Sequence, residues 1–196
     1  GYKSILSTEV YEQAREIVAD FVGADLHDRT VIFGKNTTEA INKLANRLEL
    51  APDDVVITSV LEHHSNDLPW RPRALVKYVD RLEDGSLDMD DLYGKLEASW
   101  GRVKLVAITG ASNVTGFVPP IYDIAELAHQ FGARILVDCA QLAPHRTVDM
   151  GAVGSPRGLD FVAISGHKMY APFGVGALIG PRDFFARGEP DQRGGG

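Results

Sequence analysis

Residues 160–180 read DFVAISGHKMYAPFGVGALIG, and this stretch decides the fold. Phe161-Val162-Ala163-Ile164 is a short apolar run of the length and composition of a buried strand. Ser165-Gly166-His167 makes a small polar turn, and Lys168 follows it directly. A Pro172/Gly174 turn then leads into a second strand-like run, Val175 to Ile179. A lysine at the mouth of a buried strand is partly desolvated, which disfavours its ammonium form and pulls its pKa toward a nucleophilic range. Such an amine condenses with carbonyl groups. The plainer reading of the same residue is a lysine snorkelling from a strand end. The rest of the chain has to decide between them.

Upstream, strand and helix alternate. Arg134 to Val137 reads as a strand ending on Asp138, and Ile121 to Phe131 before it as a helix. Val103 to Thr109 is an apolar strand that runs into Gly110-Ala111-Ser112-Asn113-Val114-Thr115-Gly116. Residues 88–100 are expected to form a surface helix with Leu92, Leu96 and Trp100 inward. Ala74 to Val79 reads as a strand, as does Val55 to Thr58, which delivers Leu61-Glu62-His63-His64-Ser65-Asn66 at its C-terminal end. Thr30 to Phe33 is a further strand. Asn36, three residues before Glu39, has the spacing of a capping box and sets a helix start at Asn36-Thr37-Thr38. Residues 7–22 form an amphipathic helix with Val10, Ala14, Ile17, Val18, Phe21 and Val22 on its inward face. The pattern is that of an α/β protein with a mostly parallel sheet of about seven strands flanked by helices, whose ligands bind beyond the strand ends.

Bulk properties narrow the class. The chain has 196 residues, 44% of them hydrophobic and 24% charged, an ordinary soluble composition that needs no staple. A formal net charge of -7 argues against nucleic acid or an acidic membrane as partner. The single cysteine, Cys139, cannot close an internal disulfide and suits a reducing cytoplasm. No apolar run reaches transmembrane length. Gly1-Tyr2-Lys3 and Gly194-Gly195-Gly196 read as cut ends.

Four strand ends bring polar groups toward one crevice: His63 and His64 after one, Asn113 after another, Asp138 and Gln141 after a third, and Ser165, His167 and Lys168 after the fourth. Pyridoxal phosphate needs each of these types. A carboxylate such as Asp138 keeps its pyridine nitrogen protonated, and an imidazole such as His63 lies over one ring face. Asn113 and Gln141 suit the ring hydroxyl. The helix start at Thr37 and Thr38 offers hydroxyls and free amides to a phosphate. A lysine binds the aldehyde and later shuttles a proton. Each residue alone has a simpler use: threonines cap helices, and a strand-end aspartate caps a turn. Glu62-His63-His64 lacks the spacing of a zinc motif, and Gly174-Val175-Gly176 precedes a strand rather than a helix, unlike a dinucleotide loop. Cys139 reads as a small buried hydrophobe. His129 and His145 read as residues outside the crevice or behind its lining.

Taken together, TTEAIN (37–42), EHHSN (62–66), SNVTG (112–116), VDCAQ (137–141) and SGHK (165–168) resemble the class V aminotransferase family of fold type I pyridoxal-phosphate enzymes. The likeness is greatest to its cysteine desulfurase and selenocysteine lyase branch and covers nearly the whole chain. The resemblance implies Lys168 as the Schiff-base lysine, His63 stacked on the ring, Asp138 on the pyridine nitrogen and Gln141 near the ring hydroxyl. Ala140 would lie against the opposite face, Thr38, Ser165 and His167 on the phosphate, and Asn113 toward the ring or substrate. It also implies a homodimer, an amino-acid substrate and, for a desulfurase, a sulfur-acceptor protein. Residues 1–196 then correspond to the large cofactor-binding domain. The family's small C-terminal domain, with its carboxylate-gripping arginine and loop cysteine, is absent from this sequence, and Cys139 does not take that cysteine's place. An aminotransferase, an amino-acid epimerase or another β-lyase would use the same residues, and a non-catalytic dimerisation module is the alternative from another class.

Overall fold

A computed structural model describes residues 2–112, 116–142, 146–166 and 175–187. Among these residues seven strands form one sheet: β1 (Arg29–Gly34), β2 (Val55–Ser59), β3 (Leu75–Val79), β4 (Val103–Thr109), β5 (Arg134–Asp138), β6 (Phe161–Ser165) and β7 (Gly176–Pro181). Their spatial order is β1-β7-β6-β5-β4-β2-β3. The run from β3 to β6 is parallel, while β7 is antiparallel to both β6 and β1. This is the seven-stranded, mostly parallel sheet expected above.

The inner strands are apolar throughout because both faces are covered. In β4, Val106 and Ile108 face one core with Leu92, Leu96, Ile124 and Val22. Leu105 and Ala107 face the other, with Ala40, Ile41, Leu44 and Trp70. The alternation follows from the two-residue period of a strand. Helices α1 (Tyr2–Phe21), α3 (Met89–Ala98) and α4 (Ile121–Gln130) supply the first layer, and α2 (Thr37–Arg47) the second. The short α5 (Arg182–Ala186) adds Phe184 and Phe185 beside Phe161.

Two expectations about inward faces fail. On α1, Val18 and Ala19 enter the core, as does Val22 just past its end, but Val10 is 59% and Ile17 is 64% exposed. At 100° per residue, Ile17 lies well round the helix from the Val18/Val22 line, so the true stripe is narrower than the apolar count suggests. Trp100 is 71% exposed. Helix α3 ends at Ala98 with Ser99 as its cap, so Trp100 has left the helical period. Its ring stands edge-on to Phe131, 5.6 Å away.

The polar ends of β2, β4, β5 and β6 all lie at the carboxyl edge of the sheet, and β1 leads into α2 at the same edge. Close packing there depends on Gly176: a Cβ on it would sit 2.1 Å from the Asn36 carbonyl carbon. A side-chain-free position on β7 thus lets the start of α2 lie across the sheet.

Candidate active site

An open cavity of about 580 Å³ lies at this edge, and Thr37, Thr38, His63, Asp138, Ala140, Gln141 and Ser165 all line it. Seven of the ten residues singled out in the sequence therefore meet in one place. Asn113, His167 and Lys168 lie outside the described residues.

The start of α2 is built by Asn36, whose Oδ1 accepts the Glu39 amide at 2.8 Å. The return arm of the expected capping box is shifted by one residue. Glu39 Oε2 accepts the Lys35 amide at 2.6 Å rather than that of Asn36. This leaves the first amides of α2 at the cavity with the positive end of the helix dipole. The Thr37 hydroxyl is buried and has no hydrogen-bond partner among the described residues. An orphaned buried hydroxyl is costly unless a ligand satisfies it. Thr38 Oγ1 instead meets Ser65 Oγ at 2.8 Å.

His63 does not continue β2. It caps a 3-10 turn, His64–Asn66, by accepting the Ser65 amide on Nδ1 at 3.2 Å. Ser65 Oγ lies 2.8 Å from the same nitrogen. Because Nδ1 accepts, the neutral ring carries its proton on Nε2. The imidazole is thereby held at the cavity in a set orientation.

Asp138 ends β5 and is buried, with Oδ1 accepting the Ala140 amide at 3.1 Å. Burial pushes its carboxyl above the ordinary range, and the Ala140 amide and nearby His63 only partly offset this. A buried carboxylate raised in this way favours a cationic partner. Next to it, Cys139 is fully buried, and desolvation drives its thiol far above the usual range. It is packing, not a nucleophile.

Sequence reasoning passed over Glu62 except as a poor zinc ligand. It lines the cavity, and burial raises its carboxyl to about 7 against hydrogen bonds from Ser59, Thr109 and Asn66. An acidic residue three positions past the end of a buried strand and directly before two histidines was the available signal. His129, by contrast, pairs with Asp160 near the starts of β5 and β6, at the opposite edge of the sheet. No helix among the described residues is long and apolar enough to cross a membrane.

Anion-ready amides and an unpartnered hydroxyl on one side, with a buried carboxylate on another, fit an elongated ligand with a phosphate at one end and a protonatable ring nitrogen at the other. The chain matches the family described as aminotransferase class-V over residues 3–196. A probable cysteine desulfurase of Mycolicibacterium paratuberculosis is 39% identical over 197 residues, covering 96% of this chain and 28% of that protein. A cysteine desulfurase of Haloferax volcanii is 38% identical over 193 residues, covering 94% of this chain and 44% of that one. The apo structure of a cysteine desulfurase from Thermococcus onnurineus superposes with a TM-score of 0.85 at 33% identity, over 98% of this chain and 48% of that chain. The chain spans less than half the length of these relatives.

Proposed function

The chain belongs to the class-V aminotransferase family, and we propose that it binds pyridoxal phosphate and acts on an amino acid, with removal of sulfur from cysteine as the reaction. One observation carries this reading: the orphaned Thr37 hydroxyl at the start of α2 and the buried Asp138 carboxylate line the same cavity. When bound, the cofactor supplies an electron-withdrawing ring that takes up the electron pair of a bond broken at the substrate. Every other task falls to the chain. The amides of α2, Thr37, Thr38 and Ser165 hold the phosphate. Asp138 holds a proton on the ring nitrogen, where its own raised carboxyl gains the cation that burial denies it. His63 covers one ring face, oriented through Nδ1 by Ser65. Ala140 and Gln141 border the ring on the β5 side, Gln141 toward its hydroxyl.

By family likeness, Lys168 would hold the aldehyde carbon through its amine and later move the substrate proton, His167 would add to the phosphate site and Asn113 to the ring side. Binding at an interface of two such chains, with a sulfur-acceptor protein as a further partner, belongs to the same proposal. The test is reconstitution with pyridoxal phosphate, borohydride reduction and peptide mapping. The expected label falls on the peptide containing Lys168, and sulfide is released from cysteine by the protein that carries this chain. A folded sample that takes up no cofactor, or a label on another lysine, would overturn the reading.

A further inference from the structure

Glu62 has no part in the roles assigned above, yet its carboxylate gathers three donors. Oε1 accepts the Ser59 hydroxyl at 2.6 Å and the Thr109 amide at 2.9 Å. Oε2 accepts the Asn66 side-chain amide at 2.8 Å. Those donors come from three places: the end of β2, the turn that His63 opens, and the end of β4. Two of these are themselves anchored. The Asn66 carbonyl accepts from the indole of fully buried Trp70 at 3.0 Å. The amide after Thr109, that of Gly110, donates to the Asp138 carbonyl at 2.8 Å. One carboxylate therefore ties the His63 turn to the strand pair that carries Asp138.

We propose that Glu62 is a positioning residue that fixes the His63 ring relative to the Asp138 carboxylate, so that the cofactor ring is held at its face and its nitrogen in one geometry. The proposal rests on the pyridoxal-phosphate reading. All three bonds are donated to Glu62 and none from it, which is the arrangement an ionised carboxylate requires. Burial opposes that charge, Asp138 adds to the opposition, and the three donors favour it. A packing role alone would be filled by an apolar side chain of the same size. The donors are left unsatisfied in that case.

The test uses the reconstituted protein with Glu62→Gln, Glu62→Ala, and Glu62→Gln combined with Asn66→Asp. Three quantities are read: affinity for pyridoxal phosphate, induced circular dichroism per bound cofactor, and the melting midpoint without cofactor. Glu62→Gln should lower affinity by about tenfold, the scale of one buried donor left unpaired. It should also weaken the induced signal, because the ring is no longer held in one orientation. Adding Asn66→Asp exchanges amide and carboxylate across the same contact and should restore the signal. Wild-type affinity and signal in Glu62→Gln would overturn the proposal. So would an affinity loss that merely follows the melting midpoint while the signal per bound cofactor stays whole. If Glu62→Ala does not fold, Ser59→Ala removes one donor and should show the same signal loss in milder form. A wild-type protein that takes up no cofactor overturns the cofactor reading itself. Uptake by the wild type with indifferent Glu62 variants overturns this inference alone.

Discussion

Thr38 Oγ1 and Ser65 Oγ lie 2.8 Å apart, joining the first turn of α2 to the turn that follows β2. Since Ser65 Oγ is also 2.8 Å from His63 Nδ1, one hydroxyl connects the α2 end of the cavity with its imidazole wall. We predict that Ser65→Ala costs up to about 1 kcal/mol of stability, because the bond borders an open cavity. Its larger effect should be a several-fold weaker uptake of pyridoxal phosphate, read by titrating the cofactor-free protein. Unchanged uptake would show that the bridge plays no part in binding.

Thr37 invites the opposite trade. Its buried hydroxyl has no partner among the described residues, so Thr37→Val removes an unsatisfied group while nearly keeping the shape. The cofactor-free protein should melt at the same temperature or higher, and affinity for pyridoxal phosphate should fall. Calorimetry with and without the cofactor separates the two effects. A variant that loses stability but keeps its affinity would remove Thr37 from the phosphate site.

At Asp138 we predict that the charge matters more than the shape. Asp138→Asn should leave the fold intact and cost about 3 kcal/mol of transition-state stabilisation, comparable to other single electrostatic groups in active sites. The check is turnover by the protein that carries this chain. Wild-type turnover in Asp138→Asn would detach this residue from the ring nitrogen.

The pair formed by His129 and Asp160 predicts a pH dependence. His129 Nε2 meets Asp160 Oδ2 at 2.7 Å, and Nδ1 meets the Pro156 carbonyl at 2.8 Å. Both ring nitrogens face acceptors, so the doubly protonated ring satisfies the site. The Asp160 hydrogen bond accordingly raises the imidazole's pKa, against the pull of burial. The folded state holds this proton more tightly than the unfolded chain. Its contribution is complete below about pH 6.5 and is lost as pH rises through the higher folded value. Unfolding free energy should decline across that window, and His129→Gln should flatten this part of the curve. An equal slope in the variant would assign the dependence to other groups.

The sheet was legible because its inner strands are short apolar runs, each bounded by turn residues and followed by polar groups at the same edge. Asp138 and His63 could be placed from that rule, and Thr37 from the spacing of Asn36 and Glu39. What escaped depends on contacts between distant segments. Arg29 opens β1, where a charged residue reads as a solvated strand end, yet it is buried. Its guanidinium donates to the carbonyls of Leu159, at 2.7 Å, and Gly151, at 2.9 Å. No local pattern announces partners that far along the chain. Glu62 was missed for the same reason, since two of its three donors lie close in sequence but the third, Thr109, belongs to another strand. Trp100 failed for a local reason: an apolar residue one turn past Leu96 belongs to the core only if the helix lasts that long.

The place of β7 in the sheet bears on how the protein is made. β1 has β7 as its neighbour, with Gly34 opposite Gly176, so among the described residues the first strand waits for the seventh. On a ribosome, β2 to β6 can assemble in order of synthesis, with α2 packed on their face, while β1 remains without its neighbour in the sheet. The start of α2 rests against Gly176 itself. We predict that uptake of pyridoxal phosphate arrives only once β7 has emerged. Nascent chains that stop short of Gly176 should hold a partial sheet and no cofactor.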